Sequence, residues 1–371
     1  MEAGSSVKIA MMTAGIAILL VSFWLLSVKK MTANLAVVWE SIGVILTVTG
    51  VFPILSAWTA DINDREEIPA VCIGAAVIIS FYVLSVLLSR FMMRNHELAI
   101  EVSMLLQENA ERAPIGVSRE QCHEPEKSLL IILPVKNEEK NIGKVLEQLS
   151  RPEIRAIADI LCINDASSDA SGQIIDRYPC VQITNVFGLG YGSALQLGYK
   201  YAVRKNYRYV IQMDADGQHD ACNIPMIYEK LQEEGEGGKT PDIVLASRFM
   251  ENSSEFRVST VKKFAFWLFR SMILAVTGRK IADPTTGLQG LSRAAFTYYS
   301  GYNNFDYQYP DANMVMQMLL LQFQVTEVPA VMYARTDGKS MHSGLEPVGY
   351  MMRMFLSVLT VVFRVKVLKM N

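Results

Sequence analysis

The apolar positions divide the chain into two textures. First come three long apolar runs, Val7–Val28, Asn34–Trp58 and Ile68–Met93, each long enough to cross a bilayer core of about 30 Å at about 1.5 Å per residue. They predict a membrane domain over residues 1–95 with three spans, about 7–28, 34–58 and 68–93. From Leu129 the runs shorten to strand length: LLIILP, DILCIN, VQITN and YRYVIQM are each followed by a helical segment, and DIVLAS closes the series. Near-continuous apolar strands between helices predict a mostly parallel, Rossmann-like sheet covered on both faces. The expected fold class is therefore α/β, attached to an N-terminal transmembrane helical domain.

The segments around these blocks carry patterns of their own. Residues 96–127 predict a helical linker in which Leu98, Val102 and Leu105 share one stripe, suited to a short coiled coil or a docking helix. Val261–Lys280 has an apolar middle holding Trp267 and Phe269 between Lys262–Lys263 and Arg279–Lys280. Those flanking cations favour an interfacial helix over a buried core helix. Residues 341–371 predict an amphipathic or membrane-associated helix, because Arg353 and Arg364 bracket only ten residues, short for a fourth span.

Charge orients the chain. Lys29 and Lys30 follow the first run, and Arg90 and Arg94 mark the end of the third, so both flanks are expected on the cytoplasmic side. Everything after Met93 is then cytoplasmic. The first run ends in lysines rather than a small-residue cleavage site, which predicts a retained helix rather than a signal peptide. Glu40, inside the second run, is either a functional intramembrane group or, the reading favoured because no second charged residue sits at comparable depth, a structural carboxyl near the interface or satisfied by a neighbouring helix.

Composition adds limits. The 371 residues suit about two domains, and 51% hydrophobic content exceeds soluble norms. Five cysteines without paired short spacing argue against a zinc or disulfide framework. A net charge of −2 gives no case for nucleic acid as a partner.

In a parallel α/β sheet, ligands collect beyond the carboxyl ends of the strands. There the first strand runs into Pro134-Val135-Lys136-Asn137-Glu138, the second into Asn164-Asp165 and the fourth into Asp214-Ala215-Asp216. PVKNEE has no glycine, which excludes a GxGxxG dinucleotide site after the first strand. The glycines of FGLGYG, Gly190 among them, follow the third strand and either let backbone approach a ligand or only form a tight loop. Asp214 and Asp216 can share one hard cation through oxygen, and magnesium or manganese with a diphosphate suits them. Gln218 can add an amide oxygen, Asp220 is expected to be a helix N-cap, and His219 a polar loop residue.

LPVKNEEKNI, INDASSD, GLGYGSALQLGYKYA, MDADGQHD, ASRF, DPTTGLQGLSRAAF and VTEVPAVMYARTDGKSM occur in this order between Ser128 and Ser340. Together they resemble the motifs of family 2 glycosyltransferases, and most of all the branch of dolichol-phosphate mannose synthase and polyprenyl-phosphate sugar transferases. The three-helix segment is loosely similar to a membrane domain of unknown function found alone or fused to such enzymes. The resemblance implies a GT-A domain over 128–340 and inverting transfer from a nucleotide-sugar donor. Pro134, Asn137, Glu138 and Asp165 match nucleotide-contacting positions. Asp214 and Asp216 match the DxD pair that holds Mg2+ or Mn2+, with Gln218 beside it, and Arg248 matches an arginine near the phosphates. Helix 261–280 resembles the surface helices of the polyprenyl-phosphate branch.

The resemblance implies a catalytic set of Asp216, Arg248 and Asp283. Asp283 is the leading acceptor-side residue, positioning or deprotonating, with a turn cap as its rival; Asp306 and Asp311 rank behind it. Lys136 replaces a usual aromatic residue and Gln289 a common arginine, which leaves sugar and acceptor open. The expected enzyme is a metal-dependent hexosyltransferase that moves a sugar to polyprenyl phosphate. The alternatives are transfer to a hydroxyl of a lipid-linked or surface glycan, and a non-catalytic membrane scaffold on a decayed domain.

Overall fold

A computed structural model describes residues 2–51, 68–111, 127–235, 238–253, 260–307, 309–333 and 346–370. The end of the expected second span, the acidic ADINDREE connection, the linker after Glu111 and the last motif beyond Tyr333 lie outside the described residues. The chain forms two compact units, Met1–Asn95 with Phe355–Asn371, and His96–Met354.

In the first unit, α1 (Glu2–Ser27) packs against α2 (Ala33–Val51). The two backbones approach at Gly15 and Gly43, where a Cβ on Gly15 would meet Thr47 Oγ1 at 2.4 Å; small residues at a helix crossing permit this in apolar surroundings. Trp39 meets Tyr82 edge-on at 4.8 Å, and Tyr82 shares a hydrogen bond with Ser22. Glu40 Oε1 is buried with no hydrogen-bond partner among the described residues. Among the described residues, Ile9–Ser27 and Ile73–Asn109 are long and apolar enough to cross a membrane, whereas the apolar part of α2, Ala33–Thr49, is shorter.

The third apolar run does not end at Met93. It continues as one helix, α3 (Ile68–Glu111), through the expected linker. The stripe of Leu98, Val102 and Leu105 is exposed, and the opposite positions Ile100, Ser103 and Met104 are buried. The sequence pattern therefore identified the outer face. The inner one is anchored by ion pairs from Glu97 and Glu101 to Lys200, and from Glu101 and Glu108 to Arg204.

The second unit is built on seven strands: β1 (Leu129–Val135), β2 (Ala158–Asn164), β3 (Val181–Thr184), β4 (Tyr209–Gln212), β5 (Ile243–Ser247), β6 (Gln289–Ser292) and β7 (Val325–Pro329). Between them lie α4 (Ile142–Leu149), α5 (Pro152–Arg155), α6 (Ser171–Ile175), α7 (Tyr191–Arg204), α8 (Asn223–Gln232), α9 (Thr260–Thr277), α10 (Arg293–Ser300) and α11 (Ala312–Leu320); α12 (Glu346–Val362) follows β7. The order is β3-β2-β1-β4-β6-β5-β7, with β6 antiparallel to both neighbours and every other pairing parallel. The five strands expected from the apolar runs are present; β6 and β7 are additions, because QGLS and VTEVP lack a continuous apolar run.

The core explains the rigidity of the site. β1 is buried nearly throughout, with Leu129, Ile131 and Leu133 packing on Ile142, Val145 and Leu146 of α4 and on Ile224 and Ile227 of α8. The chain moves outward from β1 through β2 to β3, then returns to place β4 on the other side of β1. That reversal opens a crevice at the carboxyl ends of β1 and β4.

Candidate active site

Each group at the crevice is held by backbone geometry that its local sequence dictates. After β4 the chain turns sharply, and Asp214 accepts a 2.8 Å hydrogen bond from the hydroxyl of Tyr191, the first residue of α7. Asp216 Oδ1 accepts from the backbone N–H of Gln218 at 3.0 Å. Gly287 lies against Asp214, and a Cβ there would sit 2.3 Å from Oδ2. The glycine of DPTTG is thus explained by the carboxylate beside it.

His219 is not the polar loop residue expected. It is 2% exposed, and its Nδ1 accepts the backbone N–H of Asp214 at 3.2 Å, which leaves Nε2 as the protonated nitrogen facing that residue's carboxylate. Burial pushes its pKa down to about 4, so it is a neutral brace for the turn. Asp220 lies two residues before the N-cap position of α8, Cys222, which is itself helical and makes no side-chain cap bond; the capping expected of Asp220 falls on the turn that leads into the helix. Asp220 accepts from the Cys222 backbone at 2.8 Å and from the Tyr333 hydroxyl at 2.9 Å. Gln218 donates its side-chain nitrogen to the Tyr333 carbonyl at 3.3 Å.

Asp165 is 3% exposed. Its Oδ1 accepts from Asn185 Nδ2 at 2.8 Å and Leu189 N at 2.7 Å, and its Oδ2 from Gly190 N at 3.0 Å and Lys136 Nζ at 3.2 Å. Burial raises its pKa, but the Leu189, Asn185 and Gly190 donors and the Lys136 charge outweigh it, and the carboxyl stays below its ordinary value. Four donors fill the lone pairs of a carboxylate. The anion cradled by the glycine loop is therefore the protein's own Asp165, and Lys136 and Asn137 are exposed beside it. Gly190, at φ 94°, adopts a conformation that suits glycine. Because Tyr191 follows at once, one loop links Asp165 to Asp214.

The PVKNEE turn braces the same rim. Asn137, in a left-handed conformation at φ 56°, accepts the Ser168 backbone N–H at 2.8 Å, and the Glu138 side chain accepts from Asn141 at 2.7 Å. Pro134 pairs with Ile163 within the sheet. Of these three, Asn137 is the most exposed to the crevice rim.

On the opposite lip, Arg248 follows β5 and Asp283 precedes β6. Arg248 Nε and Nη2 donate to Asp283 Oδ2 and Oδ1 at 2.6 and 2.7 Å, and its backbone N–H adds a third bond at 3.0 Å. Asp283 is fully buried, and Glu327 accepts its backbone N–H at 2.8 Å. A carboxylate with both oxygens on a guanidinium is suited to positioning, not to deprotonating an acceptor, so the second role anticipated for it does not fit this geometry. Burial opposes the Arg248 charge, but Asp283, Asp311 and Asp214 hold its pKa above the ordinary value.

Asp311, ranked low from sequence, faces this group. It keeps some solvent contact yet is closely surrounded, and it accepts a 2.6 Å hydrogen bond from Tyr350 of α12. Burial pushes its carboxyl up to about 6, against the pull of Tyr350 and Arg248, with Asp214 and Asp306 adding to the rise. Tyr350 had no signal beyond its place in an amphipathic run. Asp306 instead braces the loop, accepting from Tyr309 N and Asn313 Nδ2.

For a divalent cation the chain offers two carboxylates, Asp214 and Asp216, and among the described residues no group of three or more His, Cys, Asp or Glu able to hold a metal. Magnesium commonly takes one or two protein carboxylates and completes its shell with phosphate and water oxygens. The pair fits a cation that arrives with a diphosphate.

Residues 130–299, just under half of the chain, match the model of the family described as Glycosyl transferase family 2. The chain is 25% identical over 167 residues to an uncharacterised protein of Methanocaldococcus jannaschii, a match covering 45% of this chain and 65% of that protein. It therefore spans just under two thirds of that relative's length. To an undecaprenyl-phosphate mannosyltransferase of Micrococcus luteus it is 25% identical over 227 residues, 58% of this chain and 88% of that protein. Among solved structures, glucosyl-3-phosphoglycerate synthase of Mycobacterium tuberculosis with phosphoglyceric acid is similar at TM-score 0.47 and 17% identity, over 64% of this chain and 80% of that one.

Proposed function

We propose that this chain is a membrane-anchored inverting glycosyltransferase that moves a sugar from a nucleoside diphosphate to polyprenyl phosphate at the cytoplasmic face. The observation that carries the proposal is the pairing of Arg248, at the end of β5, with the buried Asp283, beside a crevice that holds Asp214 and Asp216 at the end of β4, all inside the segment that matches family 2. The Micrococcus luteus relative supports the lipid carrier by its name alone. Supporting the membrane side, α9 buries Phe269 and Ile273 and exposes Phe264 (54%) and Trp267 (61%), the division expected of a helix lying at lipid headgroups.

In this reading the bond between the anomeric carbon and the diphosphate oxygen breaks, the leaving group keeps the electron pair, and the acceptor oxygen attacks the opposite face. A divalent cation bound with the donor supplies charge neutralisation on the diphosphate. Asp214 and Asp216 are the residues proposed to hold it. Tyr191 and His219 aim Asp214 before the donor arrives, and Asp283 aims Arg248, whose charge stabilises the negative charge that grows during transfer. A phosphate acceptor is already anionic and needs no base.

A second reading, transfer to a hydroxyl, is favoured by one observation. Asp311 stands among Arg248, Asp214 and Tyr350 with the environment of a proton acceptor. The test is transfer of radiolabelled sugar to polyprenyl phosphate by membranes holding wild type or an Asp214→Asn, Asp216→Asn double variant. Metal-dependent, acid-labile product is expected from wild type only. Activity in the double variant removes the cation reading, and an acid-stable product moves the acceptor to a hydroxyl.

A further inference from the structure

The outer face of α3 carries a feature that glycosyl transfer does not use. Starting at Phe91, the positions Phe91, Asn95, Leu98, Val102, Leu105 and Asn109 are spaced alternately by four and three residues along one helix. This is the heptad repeat, with Asn95, Val102 and Asn109 at a, and Phe91, Leu98 and Leu105 at d. All the apolar members are exposed: Phe91 62%, Leu98 63%, Val102 36% and Leu105 52%. The same spacing continues upstream through Leu88, Leu84, Phe81 and Val77. There the helix is exposed nearly all round, as a lipid-facing segment is, and the turns beyond Arg94 are not.

Those turns are distinct because their other face is occupied. Ile100 and Met104 are buried, and Glu97, Glu101 and Glu108 hold Lys200 and Arg204. His96 shares a 3.1 Å hydrogen bond with Ser193 and meets the Tyr307 ring at a tilt, 4.9 Å between centroids. The seam thus points away from its own domain, and a helix fixed this firmly cannot roll to hide it. Leu106, 55% exposed, widens the apolar strip at an e position.

We infer that the face is covered by the α3 of a second copy of this chain, in a parallel two-stranded coiled coil. The choice of occupant follows from the residues. A β-branched residue at a with leucine at d favours two strands, and asparagine at a fixes register by pairing with its counterpart; Val102, Leu98, Leu105 and Asn95 occupy those places. An adventitious apolar patch, or one meant for lipid, has no reason to hold asparagine at the heptad position between Phe91 and Leu98. Direction rests on the membrane reading above: two copies inserted alike in one bilayer can pair their third helices only in parallel. Leu98, Val102, Leu105 and Leu106, with Phe91 at their upper edge, are about half exposed and offer on the order of 500 Å2 per copy, roughly 1,000 Å2 in total, the lower bound of a specific interface.

The test uses the full chain in lipid nanodiscs, with its five native cysteines replaced by serine or alanine, and no donor or acceptor. Leu98→Cys or Leu105→Cys is expected to form same-position disulfide dimers on mild oxidation, as only a parallel, in-register pair allows. In the wild-type chain, mass photometry is expected to show dimers. A Leu98→Glu, Leu105→Glu variant should weaken self-association by more than about tenfold while binding nucleoside diphosphate and manganese as wild type does, which shows that it folds. Monomers in the wild type, no same-position cross-link, or dimers that survive the double glutamate variant overturn the inference. Cover by residues 112–126 of the same chain, or by lipid, gives the first of these outcomes. Because neither readout needs sugar transfer, failure here leaves the transferase proposal standing, and loss of transfer leaves the dimer standing.

Discussion

Replacing Asp283 by asparagine keeps the shape of the residue and removes its charge. Three hydrogen bonds run from Arg248 to the two carboxylate oxygens, with Asp283 fully buried and the Arg248 side chain 13% exposed. Removing one partner of a buried ion pair costs about 3–5 kcal/mol, since the other charge is left without compensation. The asparagine keeps one acceptor but turns an NH2 toward the guanidinium, so the expected loss lies near about 3 kcal/mol, a large share of the roughly 5–15 kcal/mol that holds a domain. Pulse proteolysis of the full chain in urea should show a midpoint lowered by about 1 M. Transfer should fall about 100- to 1,000-fold, the loss of one aimed donor at a developing charge. A second variant separates the two effects: Arg248→Met with Asp283→Leu fills the space with apolar atoms and should regain most of the stability, with transfer still lost. A D283N chain within about 0.5 kcal/mol of wild type, with transfer intact, refutes the positioning argument.

Gly287→Ala sets a methyl 2.3 Å from Asp214 Oδ2. Calorimetry with manganese and nucleoside diphosphates should show affinity lower by about 10- to 100-fold at an unchanged urea midpoint, and equal affinity would mean that Asp214 is free to move without consequence. Asp311 gives a pH dependence. Its folded pKa of about 6 lies above the ordinary 3.8, so its contribution favours the fold at low pH and is lost as pH rises through about 6. Asp311→Asn should abolish that loss and, where the group acts as a carboxylate, the acid limb of the transfer profile near pH 6; a limb that stays in place belongs to another group.

Much of the site was legible because its residues follow strong apolar strands, and the end of a buried parallel strand is a fixed address. Asp165, Asp214 and Asp216 were placed that way, and their neighbours were not. His219 looked like solvent-facing loop because nothing in MDADGQHD tells that its ring folds back under the Asp214 amide. Asp165 looked free for a nucleotide because the donors that fill it, Asn185, Leu189 and Gly190, lie 20 or more residues away. Strand β6 stayed hidden in four residues with one glycine and one glutamine, since its pairing with β4 and β5 supplies what its own side chains lack. The α3 stripe was visible as a period, but a period does not say which side of a helix the rest of the protein takes.

Strand β6 runs against its neighbours, and this decides how the fold can diversify. Reversal brings the entrance of β6, with Asp283 and Gly287, to the edge where β4 and β5 finish. The half that would grip a nucleotide is thus complete by Asp216, whereas the opposing lip is one excursion that leaves after Arg248, carries α9 and returns at Asp283. Its two ends are joined by the Arg248–Asp283 ion pair, so, on the proposed function, the excursion is expected to be exchangeable as one piece. Swapping it among related chains should re-address the product while leaving the donor grip untouched.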